Sequence, residues 1–248
     1  ILLGMFSLSF LPPLALTFIY DESNKNIFLF SFIFFLIFGL LMWFGTRHKK
    51  LELNISDGFI ITTMFWIVLA CAGAMPFYFF GLSVSDSVFE SVSGITTTGA
   101  TTIVGLDEYP KSILLYRQLL QWIGGMGLIV LAVAVMPALG IGGGQLYKME
   151  LPGSHGSQKL TPKITDSAKA LWKIYVGLTL ICALLYLISG MSTFDAIAHS
   201  LSTVAGGGFS THDNSIGFFE SGLIEWVCII FMLLSAASFA VHYAAIFG

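Results

Sequence analysis

The chain has 248 residues, of which 56% are hydrophobic, 15% aromatic and only 10% charged. Ordinary soluble domains have about 25% charged residues, so this composition excludes that class. A formal charge of −3 excludes a chain devoted to binding nucleic acid, which needs a strongly basic surface. The three cysteines lie in apolar runs without a CxxC or Cys/His grouping, and so indicate neither a disulfide framework nor a zinc site.

Six apolar, charge-poor runs follow one another along the chain. A bilayer core about 30 Å thick needs roughly 20 apolar helical residues, and each run is close to that length. The runs are residues 1–20, 27–44, 58–80, 119–139, 174–189 and 226–248. The first run lacks the basic start and the small-residue cleavage site of a signal peptide. The sequence therefore predicts an all-α polytopic membrane protein with six transmembrane helices.

Lysine and arginine are distributed unevenly between the connections. Residues 45–57 and 140–173 together hold eight of the eleven basic residues. The other three are Lys25, Lys111 and Arg117. Because positively charged short loops stay in the cytoplasm, we expect these two basic segments inside the cell and residues 82–111 and 190–222 outside.

Two uncharged stretches rich in glycine and hydroxyl residues lie between predicted spans, at residues 91–106 and 200–208. Both are too short to cross a bilayer as helices. Shifting the chain by 109 positions places one stretch on the other, and the coincident pairs are Asp86/Asp195, Ser91/Ser200, Ser93/Ser202, Gly99/Gly208 and Thr102/Thr211. This is an internal repeat, in which each unit reads as helix, short half-helix, Gly/Thr segment and helix.

The repeated Gly/Thr segments predict an ion pathway. Backbone that is neither helix nor barrel cannot face lipid, so it must line protein or a water-filled cavity. Glycine permits positive φ, which lets successive carbonyls point the same way, and rings of carbonyls bind K⁺ in filters of the TVGYG kind. Thr98-Gly99, preceded by Thr97, is similar to that pattern, and residues 206–208 fall on the same repeat positions. Turns between packed helices are the alternative interpretation.

Three longer segments resemble the TrkH family of bacterial potassium uptake proteins. They read SGITTTGATTIVGLD, YRQLLQWIGGMGLIVLAVAVMP and GGGFSTHDNSIG. In the TrkH/KtrB superfamily, four membrane–pore-loop–membrane units surround one pore, and TrkH-like members have two helices before the first unit. The resemblance implies the N-terminal half of such a pore, divided into two leading helices (1–56), a first unit (57–139), a cytoplasmic loop (140–168) and a truncated second unit (169–248).

The resemblance also implies a binding site and partners. The filter would consist of Thr97, Thr98, Gly99, Gly206, Gly207 and Gly208, with the transported K⁺ at the backbone oxygens of Thr97, Thr98, Gly206 and Gly207. No organic cofactor is expected. The implied partners are K⁺, the lipid bilayer, two further pore units of the same polypeptide, a second copy in a homodimer and a cytosolic TrkA-type ring that binds NAD or ATP. The implied location is the bacterial inner membrane.

The predicted half-helices span residues 83–95 and 192–204 and aim their C-termini at the pore, where the negative end of the helix dipole favours a cation. Glu90 and His199 occupy the same repeat position within them. Because polar groups at membrane depth need internal partners, we expect both to make structural hydrogen bonds. A carboxylate near each N-terminus is expected to cap the helix, namely Asp86 and Asp195.

Polar residues around the outer loops permit several interpretations. Arg117, at the outer start of the predicted fourth span, is expected to extend to the membrane interface. Asp107 and Glu108 either raise the cation concentration at the outer mouth or belong to a plain solvated loop. His212 and Asp213 stand side by side without the further ligands that a metal site would need.

Two other functions compete with a pore. A cation-coupled transporter usually breaks a single long hydrophobic segment, whereas here each short half-helix lies between two complete spans. An intramembrane enzyme needs a nucleophile with a base, or a metal site, and the apolar runs contain no HExxH motif or carboxylate pair. The sequence therefore favours K⁺ translocation without catalysis of a reaction.

Overall fold

The computed structural model of the chain describes residues 2–47, 55–134 and 164–237. These residues form helices joined by turns, without a β-strand, which confirms the predicted all-α fold. Most of the predicted cytoplasmic loop and the ends of two predicted spans, beyond residues 134 and 237, lie outside the described residues.

The α-helices are α1 (Leu2–Ser7), α2 (Leu11–Ile19), α3 (Lys25–Thr46), α4 (Ile55–Phe80), α5 (Val84–Ile95), α6 (Lys111–Ala134), α7 (Ile164–Ile188), α8 (Thr193–Ala205) and α9 (Gly222–Ala236). Short 3₁₀ turns occupy Leu8–Phe10, Leu106–Glu108 and Ser215–Phe219. The first predicted span is thus divided into α1, a 3₁₀ turn and α2. Pro12 and Pro13 explain the division, because proline has no N–H to donate to the carbonyl one turn earlier.

Four helical stretches in the described ranges are long and apolar enough to cross a membrane: Leu2–Ile19, Lys25–Thr46, Thr63–Phe80 and Leu171–Ile188. The fourth predicted span needs a correction, because α6 begins at Lys111 and not at residue 119. Its first two turns carry polar side chains that lower the local hydropathy, yet these side chains are buried against neighbouring helices. The total of six spans stays a prediction.

Helix α6 lies between two apolar clusters. Its Tyr116 ring packs against Phe10, Phe28 and Phe77, at centroid distances of 5.7, 5.6 and 5.2 Å, and so joins α6 to the leading helices and α4. Further along α6, Met126 belongs to a second cluster formed with α7, α8 and α9. Burial of these large side chains makes α6 the element that connects the two repeat units.

Helices α5 and α8 are the predicted half-helices, and they begin 109 residues apart. Ser83 and Ser192 are their N-caps, and each serine hydroxyl accepts the backbone N–H three residues later at 3.1 Å. The same hydroxyls donate to the carboxylates of Asp86 and Asp195, at 2.6 and 2.7 Å. The assignment of Asp86 and Asp195 as the caps was therefore wrong: a serine caps each half-helix, and the aspartate is the partner of the serine hydroxyl.

Candidate ion-binding filter

The backbone following each half-helix has the same unusual conformation. Thr97 and Gly99 have φ of +55° and +75°, whereas Thr98 between them does not have positive φ. In the second unit Gly206 and Gly208 have φ of +67° and +80°, and Gly207 again does not. Residues of positive φ on each side of one without it turn successive carbonyls toward one side of the chain. Both segments therefore have the backbone geometry of a row of oxygen ligands.

The amide groups of both segments point back into their half-helices. Thr97 and Thr98 donate to the carbonyls of Gly94 and Ser93, at 3.0 and 2.9 Å. The corresponding bonds of Gly206 and Gly207, to Thr203 and Ser202, measure 3.1 and 3.0 Å. Within the described ranges, no donor reaches the carbonyl oxygens of residues 97–99 or 206–208. Since backbone carbonyls normally find partners, these six oxygens are free for a ligand.

The structure brings the two predicted segments together. A Cβ at Gly99 would overlap the carbonyl oxygen of Gly207, so the two backbones are in contact there. Gly207 in turn packs against the side-chain amide of Gln121, which leaves no room for a Cβ. Gly206 and Gly208 have open space around them. The approach of the Gly207 backbone thus requires glycine at 99, and the Gln121 side chain requires it at 207, whereas at 206 and 208 only left-handed φ favours it.

Arg117 differs from its prediction. It is fully buried and does not extend to the interface. Its Nε donates to Glu90 Oε1 at 2.6 Å, its Nη1 donates to the carbonyl of Ser210 at 3.0 Å, and its guanidinium lies 4.2 Å from the centroid of the Phe209 ring. The prediction was wrong because Glu90 is also fully buried, and a buried carboxylate requires a nearby positive charge.

Glu90 and His199 make the structural hydrogen bonds that the repeat predicts. Glu90 accepts from Thr101 Oγ1 at 2.9 and 3.0 Å, and His199 Nε2 lies 2.9 Å from Ser210 Oγ. Thr101 and Ser210 each follow the last filter residue by two positions. Each half-helix therefore holds the backbone that follows its own filter segment, through a carboxylate in one unit and an imidazole in the other.

The loops that follow the two candidate filter segments join the two units through reciprocal contacts. The carboxylate of Asp213 accepts the N–H groups of Gly105 and Leu106 at 3.0 to 3.2 Å. Asp107 Oδ1 binds His212 Nδ1, and this hydrogen bond holds the pKa of the Asp107 carboxyl below its ordinary value. No group of three metal-ligating side chains occurs in the described part of the chain. These residues therefore form an interface between units.

Gln121 is a functional candidate that the sequence interpretation missed. Its Oε1 accepts the N–H of Phe209 at 3.1 Å, directly after the second filter segment. Arg117 and Gln121 are four residues apart, so they lie on one face of α6. Two polar residues with helical spacing beside a long apolar run were the signal that could have identified this face.

Apolar spans combined with two short half-helices and two rows of carbonyls that accept no hydrogen bond among the described residues are typical of polytopic cation-transport proteins. Residues 23–248 match the family described as TrkH, cation transport protein. The chain therefore belongs to the TrkH family, as its sequence segments indicated.

Individual relatives agree with this assignment. The chain is 51% identical to the Trk system potassium uptake protein TrkH of Vibrio parahaemolyticus, over 99% of this chain and 51% of that protein. It is 47% identical to the protein of the same name from Escherichia coli K12, over 100% of this chain and 52% of that protein. A crystal structure of the V. parahaemolyticus potassium transporter TrkH superposes with a TM-score of 0.84 at 48% identity, and covers 99% of this chain and 50% of that one. The chain thus spans about half the length of the relatives it matches.

Proposed function

We propose that the chain supplies two units of a K⁺-translocating pore in the bacterial inner membrane. The observation that carries the proposal is the set of six carbonyl oxygens at 97–99 and 206–208, which lack donors in the described structure and share one backbone conformation. Such oxygens replace the water that K⁺ loses as it enters a filter. The names of the relatives, which are potassium uptake proteins, support K⁺ as the ion.

The proposed K⁺ ligands are the backbone oxygens of Thr97, Thr98, Gly206 and Gly207, with Gly99 and Gly208 completing each segment. Backbone binding accounts for the exchange of threonine and glycine at equivalent positions, since both residues offer the same carbonyl. The C-terminal ends of α5 and α8 lie directly before the segments, where their negative dipole ends favour a cation.

Two segments make half of a four-part ring of carbonyls. We propose that residues 57–139 and 169–248 are the first two units and that two further units of the same polypeptide complete the pore. A homodimer and a cytosolic TrkA-type ring that binds NAD or ATP are proposed as partners of the complete protein. The segment proposed to face that ring, residues 140–168, lies mostly outside the described residues.

A cation-coupled transporter is the less favoured alternative. Both half-helices lie between longer helices, with α5 between α4 and α6 and α8 between α7 and α9. Coupled transporters with broken helices place the break inside one spanning segment. The order of elements therefore supports a pore.

The test is Rb⁺ uptake into vesicles that contain the complete protein, in competition with K⁺ and with Na⁺. We expect K⁺ to compete far better than Na⁺, and Gly99→Ser to abolish the difference. Gly105→Ser is the matched control, because Gly105 has φ of +80° and open surroundings outside the filter. Absence of uptake by the wild type, or equal competition by Na⁺ and K⁺, would overturn the proposal.

A further inference from the structure

The guanidinium of Arg117 contacts both repeat units at once. Toward its own unit it donates to Glu90 and, through Nη2, to Thr101 Oγ1 at 3.0 Å. Toward the second unit it donates to the carbonyl of Ser210 and stacks on the ring of Phe209. Thr101 and Ser210 both lie two residues beyond a filter segment. The planar guanidinium of Arg117 therefore fixes the distance between the two backbone segments that follow the filter segments.

Gln121 extends this contact by one helical turn. Its Oε1 accepts the N–H of Phe209, and its amide fills the space beside Gly207. Its Nε2 makes no hydrogen bond among the described residues and lies 3.6 Å from the position that a Cβ of Gly99 would take. Helix α6 of the first unit thus holds the backbone of the second filter on both sides of Phe209 and reaches the first filter.

The two repeat units differ at the positions of Arg117 and Gln121. Arg117 and Gln121 correspond to Trp226 and Ile230 of α9, and both of these side chains are exposed. The two half-helices, their caps and their filter conformations do follow the repeat. Arg117 and Gln121 are therefore not part of the repeated framework, and among the described residues they serve the contact between the two units.

We propose that Arg117, paired with Glu90 and assisted by Gln121, sets the spacing of the two filter segments and thereby the preference of the pore for K⁺ over Na⁺. The inference rests on the proposed function. A carbonyl filter discriminates against the smaller ion through the number and position of its oxygens. A buried charge pair prevents the two segments from closing around Na⁺. Arg117 and Gln121 are positioning residues, since neither supplies a proposed K⁺ ligand.

The experiment measures Rb⁺ uptake by the complete protein in vesicles and compares inhibition by K⁺ with inhibition by Na⁺. The variants are Arg117→Lys, which keeps the charge but not the planar fork, and Gln121→Leu, which removes the acceptor for Phe209. Ser112→Ala is the matched control, because Ser112 is a buried polar residue of α6 that binds Asn24 and contacts neither filter segment. Size-exclusion chromatography of the purified proteins normalises uptake to folded protein.

We expect the K⁺-over-Na⁺ ratio to fall about tenfold in Arg117→Lys and in Gln121→Leu, the change that corresponds to loss of one hydrogen bond near the filter. Ser112→Ala should keep the wild-type ratio. A purely structural role would lower the amount of folded protein and leave the ratio unchanged. If Arg117→Lys does not fold, Gln121→Leu tests the same contact. A selective wild type with equally selective variants overturns this inference alone, whereas an unselective wild type overturns the proposed function.

Discussion

Gly99 of the first unit and Gly207 of the second are in backbone contact, and a side chain on Gly99 would overlap the carbonyl oxygen of Gly207. That oxygen is one of the proposed K⁺ ligands. The repeat alone predicts that serine at 99 and at 208 has the same effect. The structure shows that the two positions have different surroundings, because Gly208 has open space around it.

We therefore expect Gly99→Ser to reduce the K⁺-over-Na⁺ ratio about tenfold or more, since the second segment must move away. Gly208→Ser should retain more of the preference and lose stability, because left-handed backbone costs a residue with a Cβ about 1–2 kcal/mol. Ion competition of Rb⁺ uptake measures the first effect and thermal melting of the purified protein the second. Gly105→Ser, with the same φ as Gly208, is the control for strain. Unchanged selectivity in Gly99→Ser would remove Gly99 from the filter.

We expect the Thr98→Ala substitution to have only a small effect on ion uptake. Among the described residues, the Thr98 hydroxyl shares a hydrogen bond with Thr96 Oγ1 alone, at 2.8 Å, and alanine retains the backbone carbonyl. Rb⁺ uptake and its competition by K⁺ and Na⁺ should stay close to wild type. Complete loss of flux in a well-folded Thr98→Ala protein would instead indicate that the side chain binds the ion.

Thr97 is a β-branched residue with a φ of +55°, and the equivalent residue of the second repeat unit is a glycine, Gly206. Left-handed geometry costs such a residue about 1–2 kcal/mol, which glycine would relieve. Glycine also has more conformational freedom in the unfolded chain, and this lowers the stability by about 0.4–1 kcal/mol. Thr97→Gly should therefore raise the free energy of unfolding by about 0 to 1.6 kcal/mol. Thermal melting measures this. Thr98→Gly is the control, because Thr98 does not have positive φ and should only be destabilised.

We expect the stability that the contact between the units provides to depend on pH through Asp107. Its hydrogen bond to His212 lowers the pKa of the carboxyl below the ordinary 3.8. A lowered pKa in the folded state means that the ionised group stabilises the fold above pH 3.8 and that this contribution is lost as the pH falls through the folded value.

The melting temperature of Asp107→Asn should therefore lie below that of the wild type at pH 7, and the gap should close as the pH falls below the ordinary pKa. Glu108→Gln is the control, because Glu108 is a neighbouring exposed carboxylate that makes no hydrogen bond to the second unit among the described residues. A gap between Asp107→Asn and wild type that is the same at neutral and acidic pH would show that ionisation of Asp107 does not contribute.

Local sequence pattern was enough to predict several elements of the fold. Apolar length predicted the membrane helices, and the repeat placed the half-helices within one residue of their ends. Glu90 and His199 were expected to have internal partners because polar groups in a membrane need them. Membership of the TrkH family followed from continuous segments of sequence.

Which face of α6 contacts the second unit depends on tertiary packing and could not be read from local sequence pattern. Hydropathy averages a helix over all its faces, so the polar residues before 119 shortened the predicted span and placed Arg117 at the interface. Its burial depends on Glu90 and Ser210, which lie far from it in sequence and reach it only when both units are packed. The contact of Gly99 with Gly207 has the same origin, because the distance between two backbones is fixed by the helices that carry them.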